Sequence, residues 1–342
     1  METVIEGKLI RSERPGYPDH DVGAAAVDTW IAQARAAGVR TILCLLGEKQ
    51  LAYYSRLGNG GLLGRYRDAG FAVVHRPVCD HMTPPVPADV LARIPSDFLE
   101  AKLPLLVHCS AGIDRTGAVV RHLTVDTQLP AFRSQVERTM LEHCGPRGEG
   151  HFRQVTRLAL RLYDGLEGLF HLDPRFRVTL WAAGMLHDIG TAREAPPRGH
   201  AWRSGFMILE LRDALRCGVA AVAAEDIATV AALHGIDDVE KADPLGHADR
   251  AASEPWSAGK VPRELQVLAG ILRVADGLDR SLDQRVADLA VEDGVIRAIG
   301  KPRADISGNI GRANEKSALL RTLLGGAAPV GDLVVEGSAA GR

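Results

Sequence analysis

The sequence predicts an α/β domain built on a mainly parallel sheet flanked by helices, followed by an all-α domain and a small α/β appendix. Three observations carry this expectation. In the first 145 residues, short apolar runs rich in branched side chains alternate with segments of helical spacing, the pattern of strands joined by crossover helices. At 144–150 the run Cys-Gly-Pro-Arg-Gly-Glu-Gly interrupts the chain. Beyond it, helical spacing dominates to about residue 285. The expected units are therefore 1–145, 150–285 and 286–337.

Residues 7–11 (GKLIR) read as an edge strand, 27–37 as a helix, 39–46 as a buried strand, 72–78 as another, and 103–107 as the strand leading to Cys109. From Thr116 onward, Val119, Val120 and Leu123 have the spacing of a helix face laid against a sheet. In open parallel sheets ligands bind at the carboxyl ends of the strands, which is where Cys109 falls. In the second unit Val155, Leu158, Leu162, Leu166 and Leu169 repeat at helical spacing, and further helical patterns run over 179–189, 202–216 and 225–233. Residues 237–260, rich in Asp, Ala, Pro and Ser, read as a long loop. The appendix reads as a hairpin (286–296), a helix (314–324) and a strand (333–336), with a fraying end.

Composition sets outer bounds. A chain of 342 residues with 46% hydrophobic content can bury two cores. A formal net charge of -2 gives no electrostatic reason to expect a nucleic-acid or membrane-surface partner. The first residues lack a basic stretch followed by an apolar core, so no secretory signal is read there. The apolar stretch 218–233 is broken by Glu225 and Asp226 and is not a membrane span. Five sparsely placed cysteines point to a reducing cytoplasm. Cys44 and Cys79 read as ordinary buried thiols, or as partners for a protective disulfide with Cys109.

The run from Leu105 to Gly117 carries the chemistry: an apolar strand, a thiol, a six-residue loop and a helix start. The backbone N–H groups of Ser110, Ala111, Gly112, Ile113 and the residues up to Arg115 have no intrahelical partners. They converge with the positive end of the helix dipole into an anion cradle. The same field lowers a thiol's pKa from about 8.5 by several units and favours a thiolate at Cys109. Arg115 offers a planar fork for two phosphate oxygens, Gly112 permits the tight backbone path, and Thr116 can donate a hydroxyl hydrogen bond to the departing sulfur. Expelling an alkoxide also needs a general acid. Asp80, which opens the Thr83-Pro84-Pro85 loop after a strand, is favoured; Asp114, inside the anion loop, is the alternative. His75, Arg76 and His81 either line a substrate mouth or form a solvated rim.

This run resembles the Cys-x5-Arg-Ser/Thr loop of the protein tyrosine phosphatase superfamily, and the compact segment before it resembles the dual-specificity branch. The resemblance implies metal-independent hydrolysis of phosphomonoesters through a phosphocysteine intermediate, with no cofactor and with a phosphorylated protein or small molecule as substrate. The Asp114-Arg115-Thr116 ending is similar to myotubularins and some bacterial lipid-directed phosphatases, where the loop Asp serves as acid. Ile113 stands where several inositide-directed relatives have lysine, which weakens a highly charged inositol substrate. The Arg11-Ser12-Glu13-Arg14-Pro15 turn resembles the Arg-Ser-x-Arg-Pro entry of several bacterial phosphatases, which adds positive charge beside the site.

In the second unit His187, Asp188 and Asp276 interrupt apolar helical stretches. Burying a carboxylate and an imidazole there is costly unless they are paired or coordinate a metal. With His151 they make a mixed nitrogen and oxygen set for one divalent ion such as Mn, Mg, Fe, Co, Ni or Zn, and His200 and His234 can complete a second site bridged by Asp188. The pattern resembles the HD-domain motif. Leu186-His187-Asp188-Ile189-Gly190, Gly199-His200 and the run Leu272 to Ser281 resemble the HD-containing C-terminal half of exopolyphosphatase and guanosine pentaphosphate phosphohydrolase proteins. His200-Ala201 replaces the paired histidines often seen there, and with no actin-like domain the exopolyphosphatase activity does not transfer. The sequence thus implies a two-domain cytoplasmic phosphohydrolase. The alternatives are a regulatory protein whose HD domain binds a nucleotide and governs the phosphatase, and one whose main activity is nucleotide hydrolysis at the HD centre.

Overall fold

The computed structural model describes residues 1–192, 199–215, 223–235, 261–292, 295–324 and 334–338. The chain forms two compact units, Met1–Pro130 and Ala131–Arg342.

The first unit holds a five-stranded sheet in the order β1-β2-β5-β3-β4, made of β1 (Glu2–Ile5), β2 (Leu9–Ser12), β3 (Thr41–Leu46), β4 (Ala72–Val78) and β5 (Leu105–His108). β2, β5, β3 and β4 run parallel, and β1 returns antiparallel on β2. β3 and β5 are buried along their whole length, as apolar runs in the middle of a parallel sheet must be. His108 is level with Ser12 on one side and Cys44 on the other, so the strand ends open onto one edge. Helix α1 (Ala24–Ala36) buries Val27, Trp30, Ile31 and Ala34, a stripe at helical spacing.

Four elements were not expected from the sequence: β1, α2 (Glu48–Leu51), α3 (Gly61–Asp68) and α4 (Ala88–Glu100). β1 is a partly exposed edge strand, α2 is a single turn, α3 begins among glycines, and α4 contains Pro95. Local propensity speaks against the two longer helices, and tertiary burial overrides it through Leu62 and Tyr66 of α3 and Ile94, Phe98 and Leu99 of α4. Helix α5 (Asp114–Arg121) starts two residues before the expected Thr116. Helix α6 (Leu129–His143) follows and crosses the division between the units. Its Phe132 ring lies 6.3 Å from Trp181, which places most of the helix with the second unit although the sequence break comes later.

The second unit is built on α7 (Gly148–Phe170), α8 (Phe176–Leu186), α9 (His200–Glu210), α10 (Ala224–Leu233) and α11 (Arg263–Leu278). α7 packs on α8 and α11, and α10 packs on α8, α9 and α11. His151 lies one turn before Val155 on the buried stripe of α7 and so points into the core. A three-stranded sheet, β6 (Val286–Glu292), β7 (Val295–Gly300) and β8 (Val334–Ser338), follows, with β6 and β7 antiparallel and β8 parallel to β7. The single helix expected over 314–324 is two, α12 (Ser307–Lys316) and α13 (Ala318–Leu324), parted at Ser317, whose buried hydroxyl donates to the Asn314 carbonyl at 2.7 Å. The loop expected over 237–260, with His247, lies outside the described residues, as do Cys217 and the last four residues. No described helix is long and apolar enough to cross a membrane.

Candidate functional site

In the first unit the site stands on the carboxyl ends of four parallel strands. Cys109 follows β5, Glu13 and Arg14 follow β2, Gln50 follows β3, and Asp80 follows β4. Cys109 is 3% exposed, at the foot of a loop that runs into α5. Gly112 has φ +73°, and a Cβ there would lie 2.6 Å from the Ser12 carbonyl oxygen, so the loop backs directly onto the chain leaving β2. Two arginines secure it. Arg11 Nη2 donates to the Gly112 carbonyl at 2.6 Å, and buried Arg14 donates from Nε to Ser110 Oγ at 3.2 Å and from its backbone N–H to the Ser110 carbonyl at 2.9 Å. The positive charge the sequence placed beside the loop is therefore spent on holding it.

His108 is fully buried between Tyr66 and the loop. Its Nδ1 donates to the Cys109 carbonyl at 3.2 Å, because a carbonyl only accepts, and its Nε2 accepts from the Tyr66 hydroxyl at 3.2 Å. Burial lowers the His108 pKa to about 4 and raises that of Tyr66, so the ring stays neutral and the phenol keeps its proton. Trp30 stacks on Tyr66 and donates to Ser12 Oγ and the Glu13 carbonyl, which extends the support under β2. Thr116 Oγ1 is buried with no hydrogen-bond partner among the described residues.

Arg115 is 3% exposed. Its Nη1 donates to the Val78 carbonyl and to Gln50 Oε1, both at 2.9 Å, while Nη2 lies 3.0 Å from Asp80 Oδ1. Gln50 Nε2 in turn donates to Asp80 Oδ2 at 2.7 Å. Arg115, Gln50 and Asp80 form a closed triangle, and a cavity of about 630 Å3 opens beside Gln50 and Asp80, with Lys49, Tyr53 and His81 in its wall. Asp114 is exposed in the first turn of α5. Of the three residues read as mouth or rim, His81 reaches the cavity, whereas His75 bonds to the Leu46 carbonyl and Arg76 is held by both oxygens of buried Asp97. Cys44 is buried, and burial raises its thiol to about 12; Cys79, expected buried, is exposed. Both are free thiols, as is Cys109.

In the second unit His151, His187, Asp188 and Asp276 converge, each offering one ligand atom within 4.8 Å of the others, and Asp188, His200 and His234 form a second such group. His187 and Asp188 sit just past the end of α8 rather than within it. His200 Nε2 and His234 Nε2 lie 3.2 and 3.3 Å from Asp188 Oδ1, while His151 Nε2 lies 3.6 Å from Asp188 Oδ2 and 3.5 Å from Asp276 Oδ1. These approaches are not hydrogen bonds: among the described residues the Nε2 atoms of His151, His187 and His234 and Asp188 Oδ1 are buried without a hydrogen-bond partner, and Asp188 Oδ2 has an ion pair with Arg147 instead. They face a common point instead of one another. The other ring nitrogens are fixed, His187 Nδ1 on the Gly184 carbonyl at 2.8 Å, His234 Nδ1 on the Ala231 carbonyl at 2.6 Å, and His151 Nδ1 on Asp279 Oδ2 at 2.9 Å. Carbonyls accept only, so His187 and His234 carry the proton on Nδ1 and turn a lone pair inward.

Burial lowers His187 to about 3 and lowers His234, which keeps both neutral. Burial alone would raise Asp188 and Asp276, but the facing histidines and Lys316 hold both well below the usual carboxylate range. Burial would lower His151, yet Asp188, Asp276 and Asp279 raise it to about 10, an acidic surrounding that would favour a bound cation as it favours a proton. Ionised carboxylates, inward lone pairs and orphaned buried atoms fit a divalent ion.

Sequence reasoning missed Gln50, Tyr66, Arg147 and Lys316 as neighbours of the two centres, and saw Asp279 only as part of a motif. Arg147 Nε lies 2.8 Å from Asp188 Oδ2, and Lys316 pairs with Asp276. None of these contacts is local in sequence, and no spacing rule reveals them.

Comparison with known proteins agrees with this division. The family described as polymorphic toxin system, DSP-PTPase phosphatase, matches residues 21–127, and the HD domain family matches residues 148–281. No curated protein matches the chain. The chain carries a DSP-PTPase-type phosphatase domain followed by an HD domain with a His/Asp cluster suited to metal.

Proposed function

From a phosphatase-type domain joined to an HD domain, we propose that the chain is a cysteine-dependent phosphomonoesterase whose HD domain binds divalent metal. The observation that carries the reading is that Cys109, the loop from Ser110 to Ile113 and Asp80 all follow the carboxyl ends of the parallel strands, with Arg115 at the start of α5 3.0 Å from Asp80. The Cys109 sulfur attacks phosphorus while the amides and Arg115 hold the phosphoryl oxygens. The ester P–O bond breaks, and Asp80 gives its proton to the leaving oxygen. Asp80 is preferred to Asp114 because it already contacts Arg115 and borders the cavity, whereas Asp114 is exposed on the first turn of α5. Water then attacks the phosphocysteine and the S–P bond breaks. Thr116, whose buried hydroxyl has no other partner among the described residues, donates to the departing sulfur.

In the HD domain, His151, His187, Asp188 and Asp276 would hold one ion and Asp188, His200 and His234 a second; such ions supply Lewis-acid activation of water and of a phosphoryl oxygen. Asp279 orients His151, and the two backbone carbonyls orient His187 and His234. A second reading, in which the HD domain is the principal centre and acts on or senses a nucleotide, draws on the completeness of that ligand set.

The test is phosphate release from an aryl phosphate after exhaustive chelation, with wild type and Cys109→Ser side by side. Activity that survives chelation and disappears in the variant is the expected result. Activity abolished by chelation but retained in Cys109→Ser would transfer the assignment to the HD centre.

A further inference from the structure

We infer that the C-terminal appendix completes the HD site: α12 brings Arg312 and Lys316 to its mouth, and with Arg147 and Arg280 they form a cationic rim for a ligand carrying two or more linked phosphate groups. The inference deepens, and rests on, the reading of the His/Asp cluster as a metal centre.

A cavity of about 280 Å3 is lined by these four cations together with His200 and Asp276, members of the two ligand groups. The cations come from separate places in the sequence: the turn before α7, the residue pair after α11, and positions i and i+4 on one face of α12. Their arrangement is built into the packing. A Cβ on Gly277, next to Asp276, would lie 2.8 Å from the Ala313 Cα, so α11 and α12 touch backbone to backbone there. Buried Asn309 donates to the Leu278 carbonyl at 2.6 Å and ties the start of α12 to the end of α11. Arg312 and Lys316 lie beyond the segment that matches the HD family, and Arg147 lies just before it. Three of the four rim cations therefore lie outside the matched segment, and Arg280 lies inside it.

Charge decides what the cavity accepts. As the side chains stand, Asp188 partners Arg147 and Asp276 partners Lys316. A divalent ion held by those carboxylates would take over their compensation and leave both cations to the cavity, whose wall Arg280 and Arg312 share; Arg312 also pairs with Glu315 at 2.8 Å. A single phosphate group carries about -1.5 to -2 at neutral pH and leaves part of such a rim uncompensated. Linked phosphates bring more charge and spread oxygens over several bidentate donors. The volume lies just under the roughly 300 to 1,000 Å3 of small-molecule clefts, which suits a phosphate chain with the rest of its ligand outside.

The test uses the full chain loaded with Mn2+ and desalted, its bound metal measured by atomic emission, and titrated calorimetrically with inorganic pyrophosphate and with inorganic phosphate. Wild type is compared with the double variant Arg280→Ala/Arg312→Ala, whose positions are exposed or half-buried and which leaves the front phosphate loop unchanged. Wild type should bind pyrophosphate at least about tenfold more tightly than phosphate. The variant should lose most of that preference with its metal content unchanged. Equal binding of the two anions by metal-loaded wild type, or an unaltered preference in the variant, overturns the rim and leaves the metal reading standing. An arginine-dependent preference in a chain that retains no Mn2+ upholds the rim and overturns the metal reading.

Discussion

Gln50 stands between the two side chains on which the proposed front reaction turns, accepting from Arg115 through Oε1 and donating to Asp80 through Nε2. In that reaction it would aim the Asp80 carboxyl while Arg115 holds phosphate. Asp80→Asn should lower kcat about 10²- to 10⁴-fold on alkyl phosphates, and much less on aryl phosphates whose leaving oxygen needs no proton. Asp114→Asn should stay near wild type on both; the reverse pattern in a leaving-group series would assign the acid to Asp114. His108 makes a second prediction at this scale. An unfolded histidine titrates near 6.5, whereas burial takes His108 to about 4 in the fold. Between those values the unfolded chain takes up a proton that the native ring refuses. This contribution to stability is therefore full above about pH 6.5 and falls as pH drops toward 4, by about 3 kcal/mol in all. Urea unfolding of wild type and His108→Asn at pH 7 and pH 4.5 measures it: the variant should lose less stability over that interval.

The elements translate local sequence into sites with unequal legibility. The anion loop is legible in the sequence because its residues are consecutive, and a strand, a loop and a helix start leave the backbone little choice between Val107 and Gly117. Gly112→Ala tests that element directly: a Cβ 2.6 Å from the Ser12 oxygen, on a residue with φ +73°, must push the loop off β2. Vanadate affinity should drop at least tenfold while the HD domain's metal uptake is unaffected. The HD ligands are legible for a different reason, as polar residues interrupting apolar helix faces, although they come from five separate segments of the chain. What orients them is not. The Asp279 carboxylate holds His151 across 128 residues of sequence, and Lys316 reaches Asp276 across 40. Asp279→Asn should weaken metal binding about 10- to 100-fold by calorimetric titration, with the secondary structure unchanged.

At the scale of the whole chain, the alternation of strands with helices and the change to helical spacing after residue 150 are enough to foresee two different architectures. The sequence does not reveal α3 and α4, where glycines and a proline mask helices that exist because their apolar residues are buried. Nor does it reveal that α6 belongs mostly to the second unit, since an amphipathic helix does not say which core it covers. Each unit has a core of its own, β3 and β5 in one and the buried faces of α7, α8 and α11 in the other. On the proposed reading each also has its own class of ligand: an oxyanion for the first and a divalent cation for the second. A ligand that binds only the native form of one unit stabilises that unit by about 2.7 kcal/mol at a hundred times its Kd and leaves an independent neighbour where it was. Calorimetric melting should accordingly resolve two transitions. Vanadate should raise one of them and not in Arg115→Ala, and Mn2+ should raise the other and not in Asp188→Ala. One transition moved by both ligands would mean that the two domains unfold as a single cooperative body, so that occupancy of either site is felt at the other.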